Sequence, residues 1–233
     1  MTKHPEILRN SCSIGSNSLD CLNHLTEDEL AFLEEKTIKV QYSKGEMICK
    51  QGTFASHILI LNKGLLKSFL ESNNENLILQ IFAPINIIGL ASLHEGTSIF
   101  HHSVQAYIDS EVSLVEINAL REVIKSNGSF ANKMISTLAE QKIITSGRFF
   151  CLTKKQTYGR LADVLICLSN RIYKSRKFPL QLSRRDFAEL SGMSVESIAR
   201  ILTKFKMDGL IELTNDTLEI LDYDTLSLIS QKG

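Results

Sequence analysis

The spacing of apolar positions changes character twice along the chain, and each change predicts a different kind of structure. Near the start, Thr26 precedes an apolar-periodic stretch and Glu29 stands three residues on, a pairing in which each side chain can satisfy the other's free backbone N–H; it predicts a short helix to about Glu35. From Ile38 to Ile117 the apolar residues come in short or alternating runs: Ile38–Val40, Met47–Cys49, Ile58–Leu61, Leu65–Leu66, Leu77–Phe82, Val104–Tyr107 and Val112–Ile117. Lys44-Gly45, Gln51-Gly52, Lys63-Gly64 and Asn73-Asn74 punctuate them as turns. Short strands separated by turn signals roughly every 8–12 residues predict an antiparallel sandwich or roll.

Beyond Asn118 the period becomes helical and stays so. Phe130, Met134, Leu138, Ile144 and Phe149 are expected near one face of a helix from about Ser129 to Leu152. More than twenty residues at 1.5 Å each make a rod of roughly 30 Å, longer than a small roll covers, so the same helix of a second chain is the economical partner. Lys154-Lys155-Gln156-Thr157 interrupts the pattern. A second helix, Tyr158 to Tyr173, is expected to bury Leu161, Val164, Leu165 and Leu168, and Lys174 to Pro179 reads as a basic connector.

The next segment holds two helix starts in succession. Ser183 with Asp186 caps the first, Gly192 permits a tight reversal, Ser194 caps the second, and Gly209 stops it. On the second helix Ile198, Ile201, Leu202 and Phe205 share the inward side, opposite Val195, Glu196, Ala199, Arg200 and Thr203/Lys204. Ile211–Leu213 and Leu218–Leu221 then alternate about an Asn215-Asp216 turn, a small two-stranded wing. The expectation is an α+β chain: an N-terminal antiparallel β-roll of the jelly-roll kind over residues 19–122, a long dimerisation or control helix over 123–152, and a C-terminal winged helix-turn-helix over 154–233.

Composition changes this picture in one respect. The 26 basic and 26 acidic side chains cancel over the whole chain, which argues against a polyanion partner. The cancellation hides an asymmetry: residues 1–150 carry 13 Lys/Arg against 16 Asp/Glu, residues 151–233 carry 13 against 10, and Lys154 to Lys206 alone carries 12 against 4. That segment has the footprint of a nucleic-acid face. Hydrophobic content of 43% with 22% charged residues places the chain among ordinary globular proteins. No apolar run nears the ~18–20 residues that span a bilayer, and Met1 to Asn10 lacks the charged-then-apolar order of an export signal. Five cysteines at irregular spacing (Cys12, Cys21, Cys49, Cys151, Cys167) fit a reducing compartment. A soluble, cytoplasmic protein with no membrane partner is expected.

The outward residues of the second helix have chemistry suited to a major groove of double-stranded DNA. Arg200 presents a planar fork to guanine O6 and N7, Glu196 can accept from cytosine N4, Val195 can pack on a thymine methyl, and Ala199 lies between them. The bland alternative is an i, i+4 Glu196/Arg200 pair on a solvated helix. Ser183, Arg184 and Arg185 crowd a helix start, where free N–H groups and guanidinium charge favour phosphate oxygens; Ser194, Ser197 and Lys204 complete the expected phosphate set.

The order roll, long helix, then LSRRDFAELSGMSVESIARILTKFKMDGLIEL resembles the Crp/Fnr superfamily of bacterial transcription regulators, from about Leu19 to Leu228. In the roll, YSKGEMICKQGTFASHILILNKGLLKSF is similar to the family's strand-turn glycines at Gly45, Gly52 and Gly64. The resemblance implies a roll like a cyclic-nucleotide-binding domain, a homodimer on a palindromic operator, and RNA polymerase as a further partner. Val195-Glu196 with Arg200 looks more like the Fnr branch, where Ala199 often is Ser, and implies half-sites of the TTGA type.

Two family signatures are not intact. The cyclic-nucleotide cassette pairs Gly-Glu for the ribose with Arg-Ser/Thr for the phosphate; the corresponding stretch here is Gly89-Leu90-Ala91-Ser92-Leu93 through Phe100-His101-His102-Ser103. A cyclic phosphate buried there without a guanidinium would be uncompensated, which argues against cyclic AMP or GMP. Cys12 and Cys21 fall near the Fnr-type cluster ligands, but the spacing is wrong and Val115 holds the distant ligand's place, whereas a cubane needs four thiolates. No cofactor and no metal are therefore expected. Gly89, Leu90, His101 and His102 remain the candidate effector pocket for an unidentified small molecule; His101 and His102, read as strand neighbours, would point to opposite faces. The alternatives are a redox, iron–sulfur or other small-ligand sensor of the same architecture, a protein-interaction module, and a cupin-like metalloenzyme, whose His-x-His set His101-His102 with Glu116 does not supply. The chain is expected not to be an enzyme.

Overall fold

The computed structural model describes Ile14 and residues 21–72, 75–94, 96 and 98–233. The chain divides into two compact units, one comprising Ser16–Glu71 and Ile81–Lys142, the other Met1–Gly15, Ser72–Gln80 and Ile143–Gly233, each as far as its residues are described. Cys12 and the Asn73-Asn74 turn lie outside the described residues, as does the side chain of Cys21.

In the first unit a capped helix, α1 (Glu27–Glu35), leads into the roll. The capping box is present: Thr26 Oγ1 accepts from the Glu29 N–H at 3.2 Å and the Thr26 N–H donates to Glu29 at 2.9 Å. The Glu29 carboxyl is held below the usual carboxylate range, first by the Thr26 backbone N–H and then by the Asn127 amide. Eight strands follow along the chain: β1 (Thr37–Tyr42), β2 (Met47–Cys49), β3 (His57–Lys63), β4 (Leu66–Ser72), β5 (Glu75–Phe82), whose first six residues belong to the second unit, β6 (Asn86–Ile88), β7 (Ser103–Ala106) and β8 (Ser110–Glu116). They form two four-stranded sheets, ordered β1-β8-β3-β6 and β2-β7-β4-β5. The pairings β1–β8, β3–β6, β3–β8 and β4–β7 are antiparallel, each joining strands distant along the chain.

Ile58, Leu61, Leu66, Val104 and Val112 are wholly buried in this core, joined by Val115 and Leu120. Gly64 turns β3 into β4 at φ +105°, and a Cβ there would collide with Ser110. The short strand β6, absent from the sequence expectation, follows the bend Ala83-Pro84-Ile85 and pairs with β3 from Leu59↔Ile88 to Leu61↔Asn86.

The helical stretch begins earlier than expected and in two pieces, α2 (Ile117–Ser126) and α3 (Gly128–Lys154). Asn127 separates them: its side-chain Oδ1 accepts from the Phe130 N–H at 2.9 Å, and its side-chain amide donates to Glu29 at 2.8 Å and to the His24 carbonyl at 2.9 Å. The expected single face of α3 is corrected. Phe130, Met134 and Ile144 are buried, but Leu138 is 41% and Phe149 70% exposed. At 3.6 residues per turn the buried track runs on through Arg148 and Cys151, whereas Ile135, Leu138, Ile143, Phe149 and Phe150 lie off it and in solvent.

In the second unit α4 (Thr157–Cys167) buries Leu161, Val164 and Leu165 completely. It ends at Cys167 in a π-helical turn, Leu168–Ile172, so the continuous helix expected to Tyr173 is corrected. Gly159 lies against the backbone of Gly233, 2.8 Å from where a Cβ would stand, which lets α4 and the C-terminal helix α7 (Tyr223–Lys232) approach closely. Lys155 is the first surprise in the basic segment. It is buried, its ammonium 2.5 Å from Asp163, whose carboxylate also takes the Cys151 thiol at 3.1 Å and the Ser230 hydroxyl. One of the twelve basic residues of that segment is thus spent inside the fold.

Candidate nucleic-acid interface

The helix-turn-helix consists of α5 (Arg184–Ser191) and α6 (Val195–Met207). Ser183 begins α5 with a full capping box: its hydroxyl accepts from the Asp186 N–H at 3.1 Å and its own N–H donates to Asp186 at 2.9 Å. Gly192 closes α5 in the left-handed region at φ +59°, and its N–H returns to the Ala188 carbonyl. Ser194 then starts α6, accepting from the Ser197 N–H at 3.2 Å.

The two sides of α6 separate as its period dictates. Ile198, Ile201, Leu202 and Phe205 are buried, with the Tyr158 ring edge-on to Phe205 at 5.9 Å between centroids. Val195, Glu196, Arg200, Thr203 and Lys204 are exposed and Ala199 is half-buried. Arg200 has no ion-pair partner among the described residues, so the i, i+4 pair with Glu196 is not formed. Glu196 instead turns to the helix start, its carboxyl lowered first by its own backbone N–H and then by the Ser194 hydroxyl.

The residues expected at phosphates are spread over both helix starts, and their side chains are differently committed. Arg184 is exposed and without an ion-pair partner among the described residues. Arg185 is held by Glu189 at 2.9 Å and Lys204 by Asp208 at 2.6 Å, the latter raising the Lys204 ammonium above its ordinary range. The hydroxyls of Ser183, Ser194 and Ser197 serve as caps or cap partners. An ion pair on the surface exchanges cheaply for a phosphate, because exposed pairs contribute only ~0–1 kcal/mol.

Several residues that position this surface gave no local signal. A third strand, β9 (Lys177–Pro179), stands where a basic connector was expected and completes the sheet β10-β11-β9 with β10 (Ile211–Leu213) and β11 (Thr217–Ile220). Tyr173 stacks on its Phe178 at 4.8 Å, and Lys177 pairs with Glu219 at 2.9 Å. Lys206 ties α6 to the wing through the Leu213 carbonyl and Glu212, both at 2.9 Å. The turn of the helix-turn-helix is gripped by two arginines: Arg148 donates to the Leu190 carbonyl and, at 3.0 Å, to that of Ile78, and Arg160 donates to Gly192 at 3.3 Å. Between α6, the start of α5 and the wing tip lies a cleft of about 880 Å³, lined among others by Arg184, Thr203, Met207 and Asn215.

The candidate effector residues of the roll are not assembled as expected. His101 and His102 lie in a bend before β7, so the strand argument for opposite faces is corrected. His101 is exposed; His102 is half-buried, and its imidazole is shifted down, mainly by burial and secondarily by the charge of His101. Gly89, at φ +92°, precedes the short 3-10 turn Leu90–Leu93, and Leu90 is buried in the core. None of the four lines the cavity under α1 described below. Arg121 of α2, which sequence reasoning passed over, donates to the Leu93 carbonyl at 3.3 Å. Burial raises the Cys49 thiol to about 12, and Cys151 and Cys167 are buried. Among the described residues no three His, Cys, Asp or Glu side chains cluster for a metal, and no helix is long and apolar enough to cross a membrane.

Two family models match in the order the fold displays, the cyclic nucleotide-binding domain over residues 39–127 and the Crp-like helix-turn-helix domain over residues 159–229. The electron transport regulator A of Shewanella oneidensis is 26% identical over 226 residues, covering 94% of this chain and 88% of that protein. The fumarate and nitrate reduction regulatory protein of Escherichia coli is 23% identical over 227 residues, with the same coverage. Among solved structures, FixK2 from Bradyrhizobium japonicum superposes with a TM-score of 0.77 at 20% identity, covering 84% of this chain and 98% of that one, a likeness of fold. The relatives are regulators rather than enzymes. With both domains matched and relatives running along most of its length, the chain belongs to the Crp/Fnr family of DNA-binding transcription regulators.

Proposed function

We propose that the protein acts in the cytoplasm as a homodimer that reads a palindromic operator with TTGA-type half-sites, presenting α6 to the major groove. The observation that carries this reading is Arg200, without an ion-pair partner among the described residues, on the polar side of a helix whose other side is buried, with Glu196 beside it and Val195 41% exposed. A guanidinium free of its i+4 carboxylate is available for bidentate contact to guanine; Glu196 is then the acceptor for cytosine and Val195 the apolar contact for a thymine methyl, with Ala199 between them. Ser183, Arg184, Arg185, Ser194, Ser197 and Lys204 are assigned to the backbone, where position rather than sequence is read.

The dimer reading is supported by the apolar residues Ile135, Leu138, Ile143, Phe149 and Phe150 that α3 leaves in solvent. In this scheme residues 19–122 form the sensor, 123–152 the dimerisation or control helix and 154–233 the DNA-binding domain, with RNA polymerase as the further partner. The sensor does not take a cyclic nucleotide. Residues 89–103 contain no Arg or Lys to pair with a cyclic phosphate.

Fluorescence anisotropy on a labelled TTGA palindrome tests the reading. Binding is expected to weaken with salt, log K falling by about 0.9 per log unit of salt for each phosphate neutralised. Arg200→Ala should cost about 1–3 kcal/mol on that site and blur discrimination at one base pair. Unchanged specificity in the variant would overturn the placement of α6.

A further inference from the structure

Beneath α1 the first unit holds a half-open cavity of about 210 Å³ on one face of the sheet β1-β8-β3-β6. Its lining is graded. One cross-strand row, Thr37, Val115 and Ile58, continues into Leu33, Leu120 and Phe130 and is almost wholly apolar. The next row, two residues along each strand, is Lys39, Ser113 and Ile60. Beyond it Asn62 donates to Ser113 at 2.8 Å and to Glu111 at 3.3 Å. The cavity therefore has a greasy end under the helix and a polar end at the sheet's rim.

Protein cores leave few voids larger than a water molecule, and a void with apolar walls does not hold water well. This one exceeds the ~150 Å³ that admits benzene, so it takes a group of roughly eight carbons. At the polar end Lys39 is exposed, with no ion-pair partner among the described residues, and Ser113, whose oxygen accepts from Asn62, keeps its hydroxyl hydrogen to offer beside it. Two acidic groups stand near it: Glu34, contributed by α1, and Glu111, whose carboxylate is already taken up by the amides of Asn62 and Gln41.

We propose that this cavity is a binding site for a small amphipathic monocarboxylate, its hydrocarbon part of about eight carbons against Leu33, Leu120 and Phe130 and its carboxylate at Lys39. The site is separate from the DNA-binding surface and stands or falls independently of it.

The test is isothermal titration of the full-length protein with octanoate, octanol and octylamine, which share a tail and differ in head group. Octanoate should bind at least tenfold more tightly than octanol, and octylamine most weakly. Lys39→Met, a change at an exposed position that leaves the core intact, should bring octanoate down to the affinity of octanol without changing octanol itself. Ile60→Phe should abolish binding of both, with circular dichroism reporting the fold. In the wild-type complex, nuclear Overhauser contacts should run from the octanoate methyl to Phe130 and from its C2 protons to Lys39. Tighter binding of octylamine, equal binding of acid and alcohol, octanoate binding unchanged in Lys39→Met, or no binding of any of the three would each overturn the proposal.

Discussion

Two helices of this chain, α6 and α3, each bury one side, and they differ in what the other side carries. On α6 the unburied residues are mostly two hydroxyls and charged groups, with Val195, Ala199 and, at the far end, Met207 as the apolar exceptions, a face that water solvates and whose polar groups suit nucleic acid. On α3 the unburied side holds Ile135, Leu138, Ile143, Phe149 and Phe150, an apolar strip that water does not solvate well. The lesson is that amphipathicity alone does not name a helix's partner. The chemistry of the residues left outside does, and here it points one helix at a polyanion and the other at a second apolar surface.

The comparison can be broken from either end. The largest effect is expected inside α6: Phe205→Ala, at a wholly buried aromatic touching Tyr158, should cost about 3–5 kcal/mol in chemical denaturation and take DNA binding with it. A near-neutral result would mean the inward face is misassigned. Next, Ile135→Ser with Phe149→Ser should raise the dimer dissociation constant by one to two orders of magnitude in sedimentation equilibrium, about 2 kcal/mol, while leaving the folded helix content unchanged. If the association state does not move, the apolar strip serves something other than self-association. Ser194→Ala removes the hydroxyl that accepts the Ser197 N–H and should destabilise the protein by about 1 kcal/mol, read as a lower thermal midpoint. The smallest effect belongs to Arg184→Ala, which should weaken all DNA sequences alike and reduce the salt slope by about one phosphate; a sequence-selective loss would move Arg184 from the backbone to the bases.

What was readable along the chain follows a physical rule. Both capping boxes, Thr26 with Glu29 and Ser183 with Asp186, join residues three apart, so the letters alone contain the whole interaction. The inward set of α6 was readable for the same reason, since a 3.6-residue period is local. β9 and β6 were not, because a three-residue strand is recognised by the strand it pairs with, and β9 finds β11 about forty residues on. The helix α7 was missed as well, its start marked only by Asp222 accepting from Thr225. At the candidate interface, the side chains that α6 leaves unburied were legible from its period, whereas the grip of Arg148, Arg160 and Lys206 was not: each reaches a main-chain carbonyl, and every residue type offers one.

By itself the sequence determined the class of the protein: alternating runs for a roll, a helical run too long for it, and two capped helices around Gly192 with a basic excess nearby. Periodicity and caps act over a few residues, and so they are written in order along the chain. Tertiary structure decided which charges are available. It buried Lys155 against Asp163, tied Arg185 and Lys204 to neighbouring carboxylates, and left Arg184 and Arg200 without an ion-pair partner among the described residues. It also opened the graded cavity beneath α1, where residues from four strands and three helices meet. Desolvation and ion pairing depend on what packs nearby in space, and no local pattern encodes that.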